Sequence, residues 1–175
     1  ARQHGAAIQV LQPWLDQTRT VLLPDLPAWQ RLQAAAGNDP IFLEVARALA
    51  AVRLHPAVFH GDFAPWNIRT QSSSGAWVVL DWERGESAGP PAWDWFHFVI
   101  QPLLLVKKLP VERLGPALEA ALASPEFAAY AAAAEITGCA RALLLAYLLY
   151  CRDVLKPAEG MTPTVALLEW LRRRW

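Results

Sequence analysis

One stretch interrupts an otherwise helical chain. Between residues 57 and 83 the apolar residues leave helical spacing for short runs closed by polar residues, reading AVFHGDFAPWN and then WVVLDWE. On either side, apolar side chains recur every three or four positions, the period of an amphipathic helix. Such a chain folds as a mostly helical α+β domain with a small strand-and-loop insert. At 175 residues, one domain can bury roughly 70% of its unfolded surface and needs no disulfide or metal staple.

Proline and glycine punctuate the rest. Pro13, Pro24, Pro27 and Pro40 allow only short helices in the first forty residues. A helix is expected over residues 25–36, stopped by Gly37-Asn38. A second, opened by Asp39-Pro40, is expected over 41–54, with Phe42, Val45, Leu49 and Val52 on one face. Strands are expected at 57–59, 67–70 and 76–82, the last two forming a hairpin around Ser72-Ser73-Ser74-Gly75. Helices then follow over 93–106 with a kink at Pro102, over 111–123, over 125–137 behind a Ser124 cap, and over 139–155. The last spans 164–174 behind Thr162-Pro163.

Composition excludes several classes. Apolar residues make up 54% and charged residues 18% of the chain, so it is not disordered. Sixteen basic and sixteen acidic residues cancel, which removes the electrostatic case for nucleic acid or an anionic membrane as partner. The longest apolar run, residues 142–151, falls short of the roughly 20 residues that span a bilayer. Cys139 and Cys151 share an expected helix, about 18 Å apart along its axis. They cannot pair there, and two buried thiols in a reducing, cytoplasmic setting are expected. Nine tryptophans, five of them between Trp66 and Trp95, are expected chiefly in the core. His55 and His97 are read as loop and helix-face residues, and Arg172-Arg173-Arg174 as a solvated helix end. The chain opens with Ala1 and its only methionine is Met161, so it is read as a piece of a longer protein.

The polar residues of the insert carry the chemistry. His60, Asp62, Asn67 and Asp81 stand at the ends of apolar segments, Asp81 after an expected buried strand of Val78, Val79 and Leu80. An amide oxygen and a carboxylate are hard ligands suited to Mg²⁺ rather than Zn²⁺. Asp62, five residues before Asn67, can face the same cavity and accept a proton from a hydroxyl. A base, an amide ligand and a carboxylate ligand are the parts phosphoryl transfer uses.

The order H-x-D-x-x-x-x-N, then an apolar strand ending in Asp, is also that of kinase catalytic lobes. His60-Gly61-Asp62 with Pro65 and Asn67, followed by Asp81-Trp82-Glu83 and Asp94, resembles the aminoglycoside phosphotransferase and choline kinase superfamily of the protein-kinase-like fold. The resemblance implies Asp62 as catalytic base and Asn67 and Asp81 as Mg²⁺ ligands. It implies His60 and Asp94 as supports of the loop, with Glu83 and Trp66 as further contacts. ATP would be co-substrate and a small-molecule hydroxyl (aminoglycoside, sugar or amino alcohol) the acceptor. A protein kinase has Arg at the position of Gly61 and Gly at that of Glu83. Between Asp81 and Asp94 there is no room for an activation loop. No G-x-G-x-x-G loop occurs and every lysine follows the motif. The chain is therefore read as the C-terminal catalytic lobe, partnered by an absent N-terminal nucleotide-clamping lobe and inactive alone. The alternatives are a non-catalytic kinase-like binding module and a metal-dependent phosphoesterase using His60, Asp62 and Asp81.

Overall fold

Proline and glycine set most helix boundaries in the computed structural model, which describes residues 2–155 and 162–174. Helix α1 (Arg2–Leu11) passes into a 3₁₀ turn at Gln12–Trp14, where Pro13 falls. After the two-residue strand β1 (Val21–Leu22), α2 (Pro27–Ala36) starts on proline and stops at Gly37, whose φ of +55° suits a residue without Cβ. Helix α3 (Pro40–Leu49) is capped by Asp39, whose Oδ1 accepts from the Ile41 and Phe42 amides at 2.8 and 3.0 Å. It ends earlier than its apolar pattern suggests. Arg53–Leu54 instead forms β2, antiparallel to β1 with Val21 opposite Leu54.

The insert holds strands β3 (Ala57–Phe59), β4 (Ile68–Thr70), β5 (Trp77–Val79) and β6 (Glu86–Gly89). The expected hairpin is present, with Ile68 opposite Val79 and Thr70 opposite Trp77. The strand before Asp81 is not buried, however. Val78 and Leu80 are 44% and 41% exposed, whereas Trp77 and Val79 pack against the core. A two-stranded ribbon covers one face only, so alternate side chains meet solvent. Strand β6, which no apolar pattern announces, pairs antiparallel with β3. Gly89 permits this: a Cβ there would lie 2.4 Å from Phe59 Cβ.

Helix α4 (Trp93–Gln101) has every residue from Trp93 to Ile100 buried. Pro102, lacking an N–H, does not end it; the chain widens into a π-turn over Pro102–Val106. Helices α5 (Val111–Leu122) and α6 (Pro125–Ala133) follow, Ser124 Oγ accepting from the Phe127 amide at 3.3 Å. Helix α6 stops short of Thr137 because Glu135 turns left-handed at φ +61°. Helix α7 (Ala140–Tyr150) runs into a second π-turn, Cys151–Leu155, and α8 (Thr162–Arg172) closes the described chain. The capping side chain proposed at Thr162 lies outside the described residues, as does Met161.

One core runs through all eight helices, α1 to α8. The tryptophans divide. Trp93 and Trp95 are fully buried, with Trp95 stacked on Phe127 at 4.4 Å, while Trp66 and Trp82 are 40% and 43% exposed. Both cysteines are free, but only Cys151 is buried; Cys139 is half-exposed. Arg172–Arg174 are exposed, Arg172 reaching Glu44 at 3.3 Å. Among the described residues no helix is long and apolar enough to cross a membrane.

Candidate active site

The loop between β3 and β4 carries the motif and is tied down from two sides. His60, wholly buried, donates from Nε2 to the Leu80 carbonyl at 2.8 Å, and its Nδ1 accepts the Asp62 amide at 3.2 Å. A neutral ring with its proton on Nε2 satisfies both bonds, and burial lowers its pKa. With both nitrogens engaged, His60 has none left for a metal. It anchors the loop to the end of the hairpin, one residue before Asp81. Trp82 covers its ring at 4.6 Å.

From the other side, Asp94 in the first turn of α4 accepts the His60 amide on Oδ2 (2.7 Å) and the Gly61 amide on Oδ1 (3.0 Å). Burial raises its pKa to about 7 against the pull of those two amides. Gly61 meets two demands at once. Its φ is +79°, and a Cβ there would lie 2.9 Å from Arg84 Cβ.

These braces place Asp62 at the mouth of a cavity of about 200 Å³, bordered by Trp66, Arg84, His97, Gln101 and Leu104. Asp62 Oδ1 accepts from His97 Nε2 at 2.8 Å and Oδ2 from Asn67 Nδ2 at 3.1 Å. Burial pushes its pKa up, but the His97 contact outweighs this with help from Asn67 and Arg84, so the net shift is downward. Asp62 is therefore a carboxylate at neutral pH.

Asn67 closes a 3₁₀ turn that begins at Pro65. Its amide nitrogen also donates to the Asp62 carbonyl at 2.9 Å. With the NH₂ group turned onto Asp62, the amide oxygen is left without a hydrogen bond among the described residues. The Asn67 carbonyl in turn accepts the Leu80 amide at 2.8 Å. This bond and the His60–Leu80 bond bring Asp81 beside Asn67. Asp81 is exposed and held at φ +64°, a conformation costing about 1–2 kcal/mol for a residue with a Cβ.

The donor set suits Mg²⁺. It offers an amide oxygen and one exposed carboxylate, hard ligands that leave positions for water and phosphate oxygens. Among the described residues no three His, Cys, Asp or Glu side chains converge into an all-protein metal cage. Glu83 is exposed in the turn closed by the Gly85 amide on the Trp82 carbonyl (2.9 Å), and its side chain forms no hydrogen bond among the described residues. Trp66 flanks Asp62 at the cavity wall. A larger, more open depression of about 660 Å³ near Gln9, Pro13 and Asp16 holds no comparable group, its one carboxylate being bound to Thr18 and Arg19.

Two site residues escape the sequence reading. His97 is not a helix-face residue; it is 6% exposed and bonded to Asp62. It lies 35 positions from its partner, beyond any local motif. Its place one turn after Asp94, on a helix with no polar face, was the available signal. Arg84 borders the same cavity, and only the turn at Gly85 brings it there.

No curated protein matches the chain, and neither does any solved structure. The model of one family does match, over residues 1–145, a span containing the braced loop, the hairpin and α4. That span is well over half of the sequence, so the chain belongs to the phosphotransferase enzyme family.

Proposed function

We propose that the chain is the catalytic lobe of an ATP- and Mg²⁺-dependent kinase that phosphorylates a hydroxyl on a small, uncharged, sugar-like molecule. The observation that carries this reading is the paired orientation of Asp62 and Asn67. One amide group steadies the base through its nitrogen and leaves its oxygen without a hydrogen bond among the described residues, while the Leu80 amide on the Asn67 carbonyl draws the end of the hairpin, one residue before Asp81, alongside.

In this reading the acceptor enters the cavity beside Asp62 and donates its O–H to the carboxylate. Asp62 aligns the oxygen for in-line attack and takes its proton as the phosphorus–oxygen bond forms. Asn67 Oδ1 and Asp81 would hold Mg²⁺, which when bound neutralises phosphate charge. His60 and Asp94 keep the loop rigid. The nucleotide clamp would come from a further lobe, since no glycine-rich loop or preceding lysine is present.

Charge narrows the acceptor. Among the described residues bordering the cavity, Asp62 is the one carboxylate, Arg84 and His97 are the basic groups, and Leu104, Leu105 and Leu155 form apolar walls. A polycationic aminoglycoside calls for several carboxylates, whereas an uncharged polyol does not. The phosphoesterase alternative loses His60, whose nitrogens are both committed.

The test is ATP turnover by the full-length protein across a panel of sugars, amino alcohols and aminoglycosides. Transfer to a sugar is expected. Asp62→Ala should reduce it by at least about 10²-fold while the protein stays folded. A folded wild type that transfers phosphate to no alcohol, or an unaffected Asp62→Ala, would leave a binding module instead.

A further inference from the structure

Asp62 is held by a second group that the phosphotransfer motif does not contain. His97, on α4, reaches it from the side opposite Asn67, with Nε2 to Oδ1 at 2.8 Å. Behind His97, the Tyr147 hydroxyl on α7 meets Nδ1 at 3.0 Å. Gln101 Nε2 in turn donates to the Tyr147 oxygen at 3.4 Å. His97 and Tyr147 are 6% and 2% exposed, so this pair is buried behind Asp62, with Gln101 half-buried beside it.

One arrangement of protons satisfies His97, Tyr147 and Asp62 together. Burial raises the Tyr147 pKa far above its usual range, so the phenol keeps its proton. In the arrangement that satisfies the row, the phenol proton is directed to His97 Nδ1 while the Gln101 amide occupies a lone pair of the phenol oxygen. In that arrangement a neutral His97 carries its own proton on Nε2 and donates it to Asp62. Each oxygen of Asp62 thereby receives one fixed donor, and the remaining lone pairs are directed by two side chains rather than by a free χ2 rotation.

We infer that His97, with its tautomer set by Tyr147, is a positioning residue for Asp62. It fixes the plane in which the carboxylate meets the acceptor hydroxyl. The inference rests on the kinase reading above, because it assigns His97 a role in the orientation of the proposed base. A carboxylate held from one side only would still bind the acceptor but would present it less often in line, and misplacement of about 1 Å can cost on the order of 10²-fold in rate.

The experiment compares His97→Ala, His97→Gln and Tyr147→Phe in the full-length protein. For His97→Ala, kcat should fall on the order of 10- to 100-fold, with acceptor KM and Mg²⁺–ATP affinity near wild type. His97→Gln, whose amide nitrogen can replace Nε2, should recover most of the loss. Tyr147→Phe should fall between. Nitrogen-15 NMR of the wild-type imidazole should show the proton on Nε2, and Asp62→Asn should shift that signal. Equal losses in the Ala and Gln variants would indicate packing alone and overturn the inference. So would an unimpaired His97→Ala in a competent enzyme, or an imidazole indifferent to Asp62→Asn. A wild type that neither binds Mg²⁺–ATP nor transfers phosphate overturns the kinase reading and this inference together.

Discussion

Asp94 shows how one buried carboxylate can organise a loop and tie it to pH. Both its oxygens accept backbone amides of the motif, His60 and Gly61. Its pKa in the folded protein is raised to about 7, from an ordinary value of 3.8. Between those two values the unfolded chain has lost the Asp94 proton while the folded one keeps it. The contribution of Asp94 to stability is thus fully present below about pH 4 and is lost as pH rises to about 7, a change on the order of 4 kcal/mol. Asp62 works the other way, because its folded pKa is lowered; its contribution is lost only as pH falls below 3.8, outside that window. Burial lowers the pKa of His60 and of His4, so their contributions rise with pH toward 6.5 and oppose that of Asp94 in this window. The stability difference between wild type and Asp94→Asn, read by urea denaturation, should therefore fall from pH 4 to 7. A difference that stays constant over that range would assign the dependence elsewhere. At this scale His60, Asp62, Asn67 and Asp81 were legible because their spacing is local. His97 was not, since its meaning depends on a helix packing against a loop 35 residues away.

Elements follow the same divide between local and distant causes. Helices α2 to α8, though not α1, were legible from proline, caps and apolar period, and the Asp39 and Ser124 caps are both made. The β4–β5 hairpin was legible from its turn. Strands β1, β2 and β6 were not, because two- to four-residue strands have no period to read and exist only by pairing with remote partners. The apolar character of Val78 and Leu80 suggested burial, yet a ribbon that packs on one face leaves them exposed. The pairing of β3 with β6 depends on Gly89, where an added Cβ would stand 2.4 Å from Phe59 Cβ and 2.8 Å from Cγ. Gly89→Ala should therefore push β6 from β3 and cost about 1–3 kcal/mol, read as a lower urea midpoint. Because β6 leads into α4, the same variant should weaken the Asp94 brace and lower turnover more than a surface alanine such as Arg47→Ala. Wild-type stability in Gly89→Ala would show that β3 and β6 can part freely.

At the scale of the whole molecule, membership of the phosphotransferase enzyme family agrees with the order of motif residues along the chain. The mostly helical α+β architecture was legible as well, from the three-to-four-residue period of apolar side chains on either side of the short strand runs. What the residue pattern could not convey was the division of labour around Asp62. The hairpin presents Asn67 and Asp81 on one side, and α4 with α7 presents His97 and Tyr147 on the other. The central claim is that the first side is a metal–nucleotide site. It is tested most directly by calorimetric titration of Mg²⁺–ATP into the full-length protein and its Asp81→Asn variant. Saturable, Mg²⁺-dependent binding to the wild type, weakened at least about tenfold in the folded variant, is the predicted result. No binding to a well-folded wild type, or equal binding by both proteins, would contradict the account.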